Sequence, residues 1–173
     1  MGMHIIIDGY NLIRQSKALS RLDRQDIARG REALIAQLAA YRRLKPHRIT
    51  VVFDGARAPE LAPPRDRMKG ISIVFSRGGE LADNVITRMA RQEREQAMVV
   101  SSDQAVARAA AACGAAAIDS LEFESRMAMA AAMEGLDGSA EEPLDRRMST
   151  RKKGEGRRLP KRLRQQRLKA GKL

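Results

Sequence analysis

The sequence predicts an α/β protein: a three-layer α/β/α sandwich around a mainly parallel five-stranded sheet, followed by a basic C-terminal tail. Three observations predict it. Short apolar runs rich in β-branched residues alternate with longer segments of helical period. The runs are apolar throughout, which suits strands covered on both faces, the setting of a parallel sheet. Three of the runs end at an Asp, a residue that opens turns and caps helices.

The first strand is His4-Ile5-Ile6-Ile7, which stops at Asp8-Gly9. Ile27, Leu34, Leu38 and Tyr41 then fall on one face of a helix over about residues 23–44. ITVVF, residues 49–53, is the second strand and ends at Asp54-Gly55. Residues 56–69 are polar, contain Pro59, Pro63 and Pro64, and show no helical period, so an irregular connection is expected. ISIVF, residues 71–75, is the third strand. Leu81, Val85, Ile86, Met89 and Ala90 mark a helix over about 80–95. AMVV, residues 97–100, is the fourth strand and runs into Ser101-Ser102-Asp103. Residues 104–113 read as a helix, 115–118 as the fifth strand and 121–133 as the last helix. Right-handed crossovers place the loops that follow these strands along one edge of the sheet, where open α/β sheets bind ligands.

Charge divides the chain. Its 173 residues carry 33 Lys+Arg and 21 Asp+Glu, a net charge of +12. Residues 146–173 hold 13 of the basic residues and one acid, Glu155, so the preceding 145 residues are neutral. The organisation expected is a domain over 1–134, a Gly-, Pro- and charge-rich linker over 135–145, and a basic tail over 146–173, disordered or a short helix.

Composition excludes several classes. One Cys (Cys113) makes no internal disulfide, and two His with one Cys build no structural zinc site. No apolar run approaches the ~18 residues of a membrane span, and MGMHIIIDGY lacks the parts of a secretory signal. Ile6 stands where a myristoylation signal needs Ser or Thr. A reducing cytoplasm is the expected compartment. No Ser–His pairing points to a nucleophilic hydrolase, and no G-x-G-x-x-G follows the first strand. The Asp8 context also lacks the Asp-x-Asp pair of phosphotransferring aspartate enzymes.

The acids carry the chemistry. Asp8, Asp54 and Asp103 each follow an apolar run, and Asp83 sits in the first turn of the helix after the third strand. In a parallel sheet all four project toward one edge. Grouped carboxylates raise one another's pKa unless a cation compensates, and Mg²⁺ or Mn²⁺ is the usual oxygen-ligated cation. Such a site, beside a basic tail, suggests metal-assisted attack on a phosphodiester. The alternative for each Asp is a helix cap or turn residue, most plainly so for Asp103.

DGYNLI (8–13), VVFDG (51–55), GGELADNVI (78–86) and VVSSD (99–103) occur in an order and spacing that resembles the NYN domain, specifically its YacP-like branch. The resemblance covers about residues 3–133. It implies a Rossmann-like, PIN-like fold and a metal-dependent ribonuclease using Mg²⁺ or Mn²⁺. It further implies Asp8, Asp83 and Asp103 as metal ligands, Asn11 holding a ligand, water or phosphate by its amide, and Asp54 completing the acidic floor. Family members often carry a second acid after the helix Asp; here Asn84 follows Asp83, which implies one metal rather than two. Gln104, also not an acid, thins the site further.

Around the acids, Tyr10 is either a base-stacking platform or a packed ring, and Ser102 either contacts phosphate or makes local turn bonds. Arg57 and Arg77 are candidates for tracking an RNA backbone, with Arg65, Arg67 and Lys69 nearby. In the tail, Arg151, Lys152, Lys153, Arg157, Arg158, Lys161 and Arg162 suit sequence-independent phosphate contacts, because no aromatic interleaves them. RNA, free or ribosomal, is the partner expected, ahead of an anionic membrane or an acidic protein. A non-catalytic RNA-binding or ribosome-associated protein with a decayed site is the alternative function.

Overall fold

A computed structural model describes residues 2–137, the side chains of 134–137 excepted. By internal contacts the chain divides into two units, Met1–Glu134 and Gly135–Leu173. The expected tail and all but the first three residues of the expected linker lie outside the described residues.

The first unit is a three-layer α/β/α sandwich. Its strands are β1 (His4–Asp8), β2 (Arg48–Phe53), β3 (Arg65–Met68), β4 (Ile71–Phe75), β5 (Ala97–Val100) and β6 (Ala116–Ile118). Its helices are α1 (Gly9–Gln15), α2 (Lys17–Gln25), α3 (Ile27–Leu44), α4 (Ala82–Glu93), α5 (Gln104–Ala112) and α6 (Ser120–Asp137). The sheet order is β3-β4-β2-β1-β5-β6, parallel except for β3 against β4. β1 is central and wholly buried, which is why its run is apolar at nearly every position.

The two faces of the sheet are read from strand alternation. Ile6, Val52 and Val99 pack under Val85, Ile86 and Ala90 of α4 and Val106 and Ala110 of α5. The opposite face takes α1 and α3. A Cβ on Gly9 would come within 2.3 Å of the Phe53 ring, so only Gly lets α1 start this close to the sheet. Tyr41 of α3 meets Phe123 of α6 edge to face at 5.5 Å, joining those two helices.

The structure corrects the expected sheet of five strands to six. β3 lies in the segment expected to be irregular. A tight reversal at Lys69 and Gly70, both with positive φ (52° and 83°), folds it back on β4. Its four residues, RDRM, are all exposed, so no apolar pattern announces it. The single helix expected over 23–44 begins instead at Ile27. Asp26 interrupts it with extended backbone and caps α3 by accepting from the Ala28 N–H at 2.8 Å. α1 and α2 are additions to the expected elements. Ser16 divides them, ending α1 and capping α2 through the Leu19 N–H. Among the described residues, no helix is long and apolar enough to cross a membrane.

Candidate active site at the carboxyl edge of the sheet

The parallel strands reverse direction of travel at β1: β2 and β4 lie to one side, β5 and β6 to the other. The crevice at such a reversal, outside the carboxyl ends of the strands, is the natural ligand site of an open α/β sheet. Asp8 closes β1 and Asp103 follows β5, so these two acids flank the reversal.

Three of the acids owe their position to a local structural bond. Asp8 caps α1, accepting from the Asn11 N–H at 3.3 Å. Asp103 caps α5, accepting from the Ala105 N–H at 2.7 Å. Asp54 caps a short 3-10 turn, Gly55–Arg57, accepting from the Ala56 N–H at 2.9 Å. Capping and catalysis are therefore not exclusive: one carboxylate oxygen suffices to cap. Asp83 lies in the first turn of α4, whose N-cap is Leu81 and has no side-chain bond.

Ser101 ties the two central acids together. Its hydroxyl donates to Asp8 Oδ2 at 3.4 Å and accepts from the Asp103 N–H at 3.1 Å. Asn11 performs a similar task one layer out. Its Oδ1 accepts from the Ser102 N–H and from the Ser120 hydroxyl, both at 2.8 Å. Thus β1–α1, the β5 loop and α6 are locked to one another beside the acids. The Ser102 hydroxyl bonds Asp119 and accepts from the Ser120 N–H at 3.3 Å, partners that follow β6 rather than lying in its own turn.

Asp8 and Asp83 respond to burial and to neighbouring acids. Burial pushes the Asp8 carboxyl up from its ordinary 3.8 to about 6, and the charge of Asp83 adds to the rise. The Asn11 backbone bond, Ser101 and Arg14 oppose it. Asp83 is raised by burial and then by the charges of Asp103 and Asp54. Among the described residues none of the four joins an ion pair. A negative edge with no ion-paired cation among the described residues suits a hard cation in charge and in donor type. Its present arrangement is open: among the described residues, no three His, Cys, Asp or Glu side chains converge as a ready-made metal cage.

Other expected residues divide between rim and core. Arg57 and Arg77 are exposed. Tyr10 is 4% exposed, its ring 4.9 Å from Phe53, and its hydroxyl donates to the Arg57 carbonyl at 3.3 Å. Of the two roles weighed for Tyr10 the structure has the packed one, and the ring is no open stacking platform. The Arg57 guanidinium lies 5.6 Å from its centroid. Asn84 is exposed on the first turn of α4. The seven tail cations from Arg151 to Arg162 are outside the described residues.

Sequence reasoning missed two participants. Arg31, buried, donates to the Tyr10 hydroxyl at 3.0 Å and to the Arg57 carbonyl at 3.1 Å, holding the turn after Asp54. Its signal is a cation on the apolar stripe of α3, between Ile27 and Leu34. Asp119 follows Ile118 as the other acids follow their strands. It caps α6 through the Leu121 N–H at 2.8 Å, and the bond from Ser102 holds its carboxyl below the usual range.

This α/β/α sandwich, with acids at the carboxyl edge of a mainly parallel sheet, is a PIN-like fold. Residues 5–170 match the family model of the YacP-like NYN domain. The chain belongs to that family, and the match extends beyond the described residues through most of the tail. A curated Bacillus subtilis (strain 168) relative, "Uncharacterized protein YacP", is 28% identical over 87 residues, 50% of this chain. That alignment spans about half (51%) of the relative's length. Two crystal structures of Rae1 (YacP) from Bacillus subtilis share the fold. One, of a single-residue Trp-to-Leu mutant, superposes with a TM-score of 0.65 at 22% identity, covering 81% of this chain and 86% of that one. The other gives a TM-score of 0.68 at 23% identity, covering 80% of each chain.

Proposed function

We propose that the chain is a metal-dependent ribonuclease that hydrolyses RNA phosphodiester bonds at the carboxyl edge of its sheet. One observation carries the reading: four aspartates from separate elements lie at the carboxyl edge with no ion pair among the described residues, and the charges of three of them raise the pKa of a neighbour. A bound Mg²⁺ or Mn²⁺ would neutralise that edge and supply Lewis-acid chemistry toward phosphate and water. Asp8 and Asp103, tied through Ser101, are the residues to hold it, with Asp83 next to them. Asp83 and Asp54 are the acceptors available to orient a water toward the phosphorus. Asn11 is a positioning residue, because it acts through the backbone of Ser102 and through Ser120. The basic tail, residues 146–173, brings the chain to RNA or the ribosome by backbone contacts, and the lone Cys113 suits a reducing cytoplasm.

A second reading, an RNA-binding protein with a decayed site, is favoured by one observation: among the described residues the acids form no ready-made cage, and Asn84 adds no charge. The two part in one assay. Structured and unstructured RNA are incubated with the purified chain in Mn²⁺, Mg²⁺ or EDTA. The nuclease reading expects cleavage in Mn²⁺ or Mg²⁺, none in EDTA, and loss of cleavage in Asp8→Asn and Asp103→Asn. Mn²⁺ binding without cleavage of any RNA would establish the second reading instead.

A further inference from the structure

Beside Asp54 the surface opens into a cleft of about 570 Å³, within the roughly 300–1,000 Å³ of small-ligand sites. A larger cavity, about 970 Å³, lies between the carboxyl ends of α4 and α5, at the opposite edge of the sheet from the acids. The cleft by Asp54 shares that acid with the site and reaches Leu81, two residues before Asp83.

Its construction is specific. The loop after β2 and the loop after β4 form its floor and are stapled together. The Gly55 N–H donates to Ser76 Oγ at 2.9 Å, and the Ser76 N–H donates to the Phe53 carbonyl at 3.0 Å. A Cβ on Gly55 would meet the Ser76 carbonyl oxygen at 1.8 Å, so the approach requires glycine. Pro59, Pro64, Phe75 and Leu81 form the apolar part of its walls; Asp54, Glu60 and Glu80 also line it, and Glu80 is paired with Arg88. The Phe75 ring is fixed by stacking on Phe53 at 5.7 Å, and Leu81 is 58% exposed although it stands two residues from Asp83. One rim is bare backbone. Gly78 and Gly79 both have positive φ, and a Cβ on either would meet nothing within 4 Å. Arg77, exposed at the same rim, joins no ion pair among the described residues.

We propose that this cleft is a nucleobase subsite, taking the base of a nucleotide that flanks the phosphate held at the acidic edge. An apolar wall segment with a fixed aromatic ring, a bare glycine rim and carboxylates that can accept hydrogen bonds admit a flat group with polar N–H edges. A cation at the mouth complements the phosphate attached to it. A phosphate alone has no use for the apolar walls, and an aliphatic chain has no use for Arg77. Stacking of this kind tolerates any base, because each has a π face. The inference rests on RNA being the ligand of this edge.

The test compares affinities of the full chain, in EDTA, for a labelled single-stranded oligoribonucleotide and for an abasic oligomer of the same length. Tail cations contact the backbone of both alike, so the affinity ratio isolates the bases. The wild-type chain is expected to prefer the base-bearing strand about tenfold. Filling the cleft with Ala62→Trp, or removing a wall with Leu81→Ser, is expected to bring the ratio close to one. Ala112→Trp, in the remote cavity, is expected to keep it. A wild-type ratio of one, or an unchanged ratio in both cleft variants, overturns the subsite. No RNA binding by the wild-type chain overturns the subsite and the RNA reading together. Base-dependent binding through the cleft by a chain that cuts nothing supports the subsite and contradicts only the nuclease reading.

Discussion

Asp8 concentrates the conflict between folding and function in one side chain. It must cap α1, accept from Ser101 and remain nearly buried while facing the charge of Asp83. Its carboxyl, raised to about 6, favours the protonated form in the folded chain. The stabilisation this gives is fully present below the unfolded value near 3.8 and is lost as pH rises through about 6. At neutral pH without a divalent ion, the ionised group therefore opposes folding by at most about 3 kcal/mol. Asn can still cap a helix. Asp8→Asn is accordingly expected to melt higher than the wild-type chain in EDTA at pH 7, with the difference shrinking toward pH 4. Thermal denaturation across that range measures it, and a lower Tm for the variant at pH 7 would refute this view of Asp8.

At the scale of elements, the site depends on a few ties between segments distant in sequence. Asn11 on α1 joins the β5 loop and α6 through Ser102 and Ser120. Ser120 is fully buried, so Asn11→Ala leaves its hydroxyl and the Ser102 N–H without this acceptor. A loss of about 1–3 kcal/mol is expected in urea denaturation, and an unchanged midpoint would remove Asn11 from the frame of the site. The same scale explains what is legible in the sequence. β1, β2, β4 and β5 announce themselves because their residues are largely buried and the runs are mostly apolar. The carboxylates are legible because they end or follow those runs. β3 is not, because an exposed edge strand needs no apolar residues and is formed by a turn at Lys69 and Gly70 and by pairing with β4. The breaks at Ser16 and Asp26 are caps inside a polar stretch, and the apolar spacing there does not resolve them. Arg31 shows in the sequence only as a cation on the apolar stripe of α3, and Ser120 not at all, because their partners come from other parts of the chain.

At the scale of the whole molecule, residues 1–145, which include the acidic edge and sum to zero net charge, are followed by 28 residues of net charge +12. The two charges have separate roles in this account: the tail holds RNA and the edge acts on it. Removing residues 146–173 is expected to weaken RNA binding and flatten its dependence on salt, since fewer counterions are released. Fluorescence anisotropy from about 50 to about 300 mM salt, a span on the order of that over which such contacts are lost, measures the slope, and an unaltered slope would refute the tail's role. The central claim, that the gathered aspartates cut RNA with the help of a divalent ion, is tested most directly by one rate measurement. Cleavage of a single-stranded RNA is timed for the wild-type chain, Asp8→Asn and Asp103→Asn in Mn²⁺, with an EDTA control. The account predicts cleavage by the wild-type chain that EDTA abolishes, and rates at least about 100-fold lower in both variants, each still folded by its melting curve. Equal rates in the variants, or cleavage that survives EDTA, would contradict it.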